Sequence, residues 1–262
     1  MYLTARSKNI KYELLGSGGE LIVFVHGWGG TIKSLRALAM RASKKYTCLV
    51  FDLPGFGTSD NPDPDWGVEE YAACVREVIE HVGTYCNTSL QNTNGKQSHQ
   101  VPFIHYFGHS FGGSLGIYLA AKKMVEMKQL VLCCSSYKRT QPGGKDILQY
   151  VPKTPTQHLK QRLRLLYYRV RYPQSDIWRF PHLESNFRKI VSQDLTDLVP
   201  QITVPTLIIG AEKDTATPPE LAKELHEKIP ESKLVIIPNA THGLPKKEPL
   251  RVWEEMEGVE NT

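Results

Sequence analysis

The 262-residue sequence lacks long apolar runs. No stretch approaches the roughly 20 consecutive apolar residues that span a bilayer, so no stable membrane insertion is expected. The first eight residues, Met1-Tyr2-Leu3-Thr4-Ala5-Arg6-Ser7-Lys8, also lack the apolar core of a secretory signal, and the expectation is a cytoplasmic protein. Cysteine is scarce: Cys48, Cys74, Cys86, Cys133 and Cys134 are odd in number and have no metal-ligand spacing. A disulfide framework and a metal site are therefore not expected, and the thiols read as reduced and mostly buried. Charge of one sign is not in large excess. Lys and Arg number 32 against 27 Asp and Glu, and a net +5 is too modest to point to nucleic acid. The glycine-rich phosphate loop that closes in Lys-Ser/Thr is missing too, so no cofactor is implied. No internal repeat is visible.

What the chain does have is centred on Phe107-Gly108-His109-Ser110-Phe111-Gly112-Gly113. An apolar run, Val101 to Tyr106, precedes it, and a helical segment, Ser114 to Lys123, follows. Gly108-x-Ser110-x-Gly112 thus sits where a buried strand turns into a helix, the setting of a nucleophile elbow. The Ser must occupy a strained turn to lift its hydroxyl above a sheet. The residues two before and two after lie where strand and helix backbones crowd, so both must be small.

The rest alternates between strands and helices. Strands are expected at 9–15, 21–25, 47–51, 101–106, 129–133, 204–210 and 233–237, and most are continuous apolar runs suited to burial on both faces. Helices are expected at about 32–43, 68–84, 114–123, 218–229 and 249–257. Tyr85 to Gln100 is polar and reads as an exposed loop. Between 138 and 200 the alternation stops and two helices are expected, near 155–171 and 182–192. The fold class is α/β: a doubly wound, mostly parallel sheet. Residues 1–137 and 201–262 form its core, and 138–200 are a helical insertion.

A serine hydroxyl is a poor nucleophile at neutral pH and needs a base oriented by a third group. The elbow architecture places them in the chain order Ser, acid, His, each on a loop after a strand. Gly210-Ala211-Glu212-Lys213-Asp214 and Asn239-Ala240-Thr241-His242 follow two of the expected strands. Ser110 is therefore assigned as nucleophile, His242 as base and Asp214 as the orienting acid. Glu212 competes, but the shorter Asp214 beside the turn at Thr215–Pro218 fits better. The alternative acid position, after the strand that follows the elbow helix, holds Cys133-Cys134-Ser135-Ser136 and no carboxylate. His226 falls inside an expected helix and reads as a surface residue. Acyl transfer also needs two backbone donors for the developing oxyanion. The N–H groups of Phe111 and of Trp28, in His26-Gly27-Trp28-Gly29-Gly30, are assigned to it, and both side chains are expected to line the substrate wall. His26 reads as a hydrogen-bonded structural histidine.

The His26–Gly30 loop, Asp52-Leu53-Pro54-Gly55-Phe56-Gly57-Thr58-Ser59, the Ser110 elbow, the Asp214 loop and the His242 loop appear in this order. Together they resemble the α/β-hydrolase superfamily, above all its compact bacterial esterase-like and C–C-hydrolase-like members. The resemblance covers residues 9–137 and 201–257. It implies that the insertion is a helical cap and that the Asp52 loop is structural. Ser110 argues against the epoxide hydrolases and haloalkane dehalogenases of this fold, which carry Asp at the elbow. The activity implied is that of a cofactor-independent serine hydrolase, a carboxylesterase for a small-molecule ester of small or medium acyl chain. A lactonase, an amidase or peptidase, a C–C hydrolase and a hydrolase-fold small-ligand receptor would carry the same apparatus.

The insertion also concentrates charge. It contains twelve Lys and Arg and five Asp and Glu, a net +7 that leaves −2 for the remainder of the chain. Leu159, Leu163, Leu166 and Val170 share one face of its first expected helix, and Leu183, Phe187 and Ile190 one face of the second. Such faces either close the cap over the core or line an acyl pocket beneath a mobile lid.

Overall fold

The computed structural model describes residues 1–90, 103–138, 154–156, 159, 162, 163, 166 and 179–260. Its strands are β1 (Tyr2–Ala5), β2 (Lys8–Leu15), β3 (Leu21–Val25), β4 (Thr47–Phe51), β5 (Ile104–His109), β6 (Met127–Cys133), β7 (Thr206–Ala211) and β8 (Ser232–Ile237). They form one eight-stranded sheet in the order β1-β2-β4-β3-β5-β6-β7-β8. The β1–β2 and β2–β4 pairs are antiparallel, and every later pair is parallel. The helices are α1 (Ile32–Ala42), α2 (Val68–Leu90), α3 (Phe111–Ala121), α4 (Glu184–Ser192), α5 (Pro219–Lys228), α6 (Leu244–Lys247) and α7 (Pro249–Glu260).

The apolar strands are continuous because helices cover both faces of the sheet. β3 and β7 are buried at every position. On one face Leu35 and Leu38 of α1 and Val252 and Trp253 of α7 pack on Phe24, Val50 and Phe107. On the other, Tyr71, Val75 and Val78 of α2, Leu115 of α3 and Leu225 of α5 pack on Val23, Tyr106 and Leu130. Asp52, just after β4, ties this framework together. Its Oδ1 accepts from the Ile32 N–H at 2.7 Å, placing an anion at the N-terminus of α1 where the helix dipole favours it. Its Oδ2 accepts from the Thr58 N–H at 3.2 Å. The Asp52 carboxylate is thus engaged with the backbone on both oxygens.

Three local features depart from the sequence reading. β1 was not anticipated; its four residues pair with β2 through contacts such as Leu3↔Ile10. α2 runs on to Leu90, so Tyr85–Leu90 are helical and not part of a loop. Once a helix is nucleated each added residue costs little, even Asn, Thr and Ser. The rest of that expected loop lies outside the described residues. α6 is a short added turn with Pro245 near its start, where the missing N–H of proline costs nothing.

In the insertion, α4 is preceded by a 3₁₀ turn at Pro181–Leu183 and is anchored to the loop before α2. Ser185 Oγ donates to the Pro64 carbonyl at 2.7 Å, and Asn186 Nδ2 donates to the Asp63 and Trp66 carbonyls at 2.7 and 3.1 Å. Leu183 packs against Gly55, which sits at φ +89°; an added Cβ would press on the Leu183 methyls. Leu183 is thus part of the core, and Ile190 of α4 packs against it. Leu159, Leu163 and Leu166, from the first expected insertion helix, lie at helical positions but are 60%, 59% and 58% exposed. Among the described residues that stripe faces outward, and the rest of the segment lies outside them.

Candidate active site

The site forms at the carboxyl ends of the parallel strands, where an open α/β sheet places its loops. β5 ends in Gly108-His109, and the next residue, Ser110, has φ +51° and ψ −114°. This left-handed backbone is strained for a residue with a Cβ and is kept only where its surroundings over-determine it. They do so here. The Ser110 N–H donates to the Cys133 carbonyl at 3.0 Å, and the Ser110 carbonyl accepts from Gly113 and Ser114 at 2.9 and 3.2 Å. The small residues around it are required by contact. A Cβ at Gly108 would run into the Gly112 carbonyl, and one at Gly112 into the Val25 carbonyl.

Asp214 follows β7 and His242 follows β8, strands that lie adjacent and parallel. Nδ1–H of His242 donates to Asp214 Oδ2 at 2.8 Å, and its Nε2 lies 3.0 Å from Ser110 Oγ. Asp214 is fully enclosed. Its Oδ1 accepts from the N–H groups of Ala216 and Thr217 at 2.8 and 2.9 Å, and its Oδ2 also accepts from the Thr217 hydroxyl at 2.7 Å. Burial works to raise the Asp214 pKa, but the hydrogen bond and charge of His242 and the bonds from Thr217 outweigh it. The carboxyl is held below the usual carboxylate range.

Two further histidines frame the site without joining the chain of hydrogen bonds. The Leu53 N–H donates to His26 Nε2 at 3.0 Å, and His26 Nδ1–H donates to the Gly27 carbonyl at 2.8 Å. Both ring nitrogens are thereby occupied, and the ring must be neutral. Burial, which lowers its pKa, favours that state. His109 donates from Nε2–H to the His242 carbonyl at 2.8 Å. Burial, and then the nearby His242, push its pKa down to about 3.

The His26–Gly30 loop lies against the serine, since a Cβ at Gly27 would come within 2.9 Å of Ser110 Cβ. The Gly27 carbonyl is held from one side by His26 and by the Gly30 N–H at 2.9 Å. Across a trans peptide the Trp28 N–H points the opposite way. Phe111 is the first residue of α3, so its N–H has no partner within the helix. The Trp28 indole packs edge-on against Phe56 and Phe111, with centroids 5.0 and 5.9 Å away, and tilts against Phe187 of α4 at 5.3 Å.

Ser110, His242 and Asp214 are thus brought together, with Trp28 and Phe111 beside them. Glu212 is not: it is exposed, and its Oε2 accepts from the Asn239 N–H at 2.7 Å. His226 is likewise remote, with Nδ1 2.9 Å from Ser232 Oγ. The sequence reading missed Thr217, His109 and Phe56, and it placed Phe187 on an apolar helix face without its contact to Trp28. Thr217 had a signal, since a Thr three residues after an Asp is placed to close a turn on its carboxylate. The Trp28–Phe187 contact had none, because the two residues are 159 positions apart and only the placement of α4 joins them.

The matches to known proteins agree with this architecture. The uncharacterized hydrolase YugF of Bacillus subtilis is 25% identical over 97% of this chain and 94% of its own length. The pimeloyl-(acyl-carrier protein) methyl ester esterase of Neisseria meningitidis serogroup C is 24% identical over 85% of this chain and 86% of its own. Among solved structures, the enol-lactonase of Burkholderia xenovorans LB400 superposes with a TM-score of 0.75 at 19% identity, covering 100% of both chains. The family model for the alpha/beta hydrolase family matches residues 22–255. The sheet order, the strained serine turn and these matches together place the chain in the alpha/beta hydrolase family.

Proposed function

We propose that the protein is a cofactor-independent serine carboxylesterase, acting on a small-molecule ester of small or medium acyl chain through an acyl-enzyme intermediate. The observation that carries this reading is the unbroken hydrogen-bond chain from Asp214 through His242 to Ser110. Ser110 attacks the ester carbonyl as its proton passes to Nε2 of His242. Asp214 remains ionised and steadies the imidazolium. His242 then gives that proton to the departing alkoxide. A water deprotonated by His242 cleaves the acyl-enzyme and returns Ser110 to its starting state.

The developing oxyanion is received by the N–H groups of Phe111 and Trp28. In support, the first is free of intrahelical bonding and the second is turned away from the pinned Gly27 carbonyl. The rings of Trp28, Phe111, Phe56 and Phe187 supply an apolar wall for the acyl chain. Residues 138–200 act as the cap of this core, with Phe187 of α4 reaching the wall at Trp28. Four cysteines that are free and buried suit the reducing cytoplasm.

The test is turnover of a neutral ester series of increasing acyl length, with a fluorophosphonate label as a second readout. Wild-type protein should turn over the short and medium esters and take the label. Ser110→Ala should lose both while its thermal unfolding is unchanged. Near-wild-type turnover by Ser110→Ala would overturn the reading.

A further inference from the structure

Cys134 has no part in the chemistry above, yet its position is held from both sides. Its N–H donates to the Ile209 carbonyl at 2.8 Å, and its carbonyl lies 3.0 Å from the Thr217 hydroxyl oxygen. Its φ is +47°, a left-handed backbone uncommon for a residue with a side chain. This geometry brings its thiol to the triad. Cys134 Sγ, one ring nitrogen of His109 and one ring nitrogen of His242 all lie within 4.8 Å of one another. The two imidazoles stack at a tilt of 43°, with centroids 5.0 Å apart.

We propose that Cys134, His109 and His242 form an inhibitory site for a borderline-soft divalent cation of the zinc type. One thiolate and two imidazoles are the donor set that such ions prefer, and they are unsuited to Mg²⁺ or Ca²⁺. Bond lengths of about 2.1 Å to nitrogen and 2.3 Å to sulfur give ligand–ligand edges of roughly 3.5 Å in a tetrahedral site. The trio therefore needs to close by at most about 1.3 Å from the observed span of 4.8 Å. The His242 side chain, 33% exposed, gives an ion its route from solvent. A fourth position remains for water.

Binding is a ligand exchange without redox change. The Cys134 S–H bond is replaced by an S–metal bond and its proton leaves to solvent, while each imidazole gives a lone pair. Inhibition follows whichever nitrogen of His242 the ion takes. Nδ1 is the atom bonded to Asp214, and Nε2 is the atom facing Ser110. Either choice removes the imidazole from the relay. The consequence for turnover rests on the serine esterase reading; the existence of the site does not.

The experiment uses the full chain with Zn²⁺ for turnover and Cd²⁺ for direct binding, with Mg²⁺ as control. Wild-type ester turnover should fall at least tenfold on saturation with Zn²⁺ and return with a chelator, while Mg²⁺ leaves it unchanged. Cd²⁺ should raise an ultraviolet thiolate-to-metal charge-transfer band in the wild type and in Ser110→Ala. Cys134→Ala should keep metal-free turnover, lose the band and shift the Zn²⁺ midpoint by on the order of 100-fold or more. Cys133→Ser should retain the band. If Cys134→Ala does not fold, the near-isosteric Cys134→Ser makes the same comparison. The same Zn²⁺ midpoint in the Cys134 variant as in the wild type, or a band that survives it, overturns the proposal, as does a wild type with neither band nor inhibition. A Cys134-dependent band in a protein without ester turnover would instead sink the esterase reading and leave the site standing.

Discussion

The Nε2–H of His109 donates to the main-chain carbonyl of His242 at 2.8 Å, so the residue beside the serine holds the loop that carries the proposed base. A neutral hydrogen bond of this kind is worth about 1 kcal/mol, enough to fix a loop in one register. His109→Phe should lower kcat by roughly tenfold while changing KM little, because the variant disturbs the aim of the imidazole and not the substrate wall. Steady-state kinetics on a neutral ester decides it. An unchanged kcat would show that the bond positions nothing.

The two carboxylates of the β7 loop should separate cleanly. Asp214→Asn should cost up to about 10⁴ in kcat, since the imidazole loses the anion that sets its tautomer. Glu212→Gln should leave most of the activity, because Glu212 is exposed and its carboxylate accepts from the Asn239 N–H, away from His242. The reverse outcome would identify Glu212 as the orienting acid.

Glycine substitutions should divide by what surrounds them. Gly112→Ala drives a methyl into the Val25 carbonyl. Such overpacking against backbone should destabilise the protein by at least about 1–3 kcal/mol. Gly258, in α7, has nothing within 4 Å of an added Cβ. There Gly258→Ala should stabilise by about 0.5–1 kcal/mol, through helix propensity and a less flexible unfolded chain. Urea unfolding of the two variants gives the sign of each.

Burial pushes the thiols of Cys48 and Cys74 up to about 12 from the ordinary 9.0. In the native protein at pH 8 neither should react with a thiol reagent, and both should react in denaturant. The sign of the linked stability follows. The unfolded thiols lose their protons near pH 9 while the folded ones keep theirs, so the unfolded state binds fewer protons. The contribution is intact below pH 9 and is lost as the pH rises toward 12. Replacing Cys48 with Ala should therefore flatten the fall of unfolding free energy between pH 8 and 10. An identical slope in the variant would show that the Cys48 thiol titrates alike in both states.

The basic insertion makes a kinetic prediction. If its charge steers anionic substrates to the cleft, kcat/KM on an anionic ester should fall as ionic strength rises from ~10 mM to ~0.3 M, because the screening length shrinks several-fold. A neutral ester should barely respond. Flat profiles for both would show that these charges are only a solvated face.

The sequence by itself determined the alternation of buried strands and helices, the parallel sheet and the serine turn. Each is largely local in origin: the apolar runs, the period of the helices and the small residue at Gly108, which crowds Gly112, act within a few residues of themselves. It also narrowed the candidate base to His242, because a histidine directly after a strand differs from one inside a helix such as His226. The tertiary structure alone decided the rest. Asp214 and Glu212 are two residues apart, and only the approach of the β8 loop shows that one is enclosed beside His242 while the other faces water. The pairing of His109 with His242 spans 133 positions, and the meeting of Cys134 with both follows from the side-by-side order β5-β6-β7-β8. Composition and periodicity carry no record of such contacts, because they depend on which strands lie side by side and not on any residue's own preference.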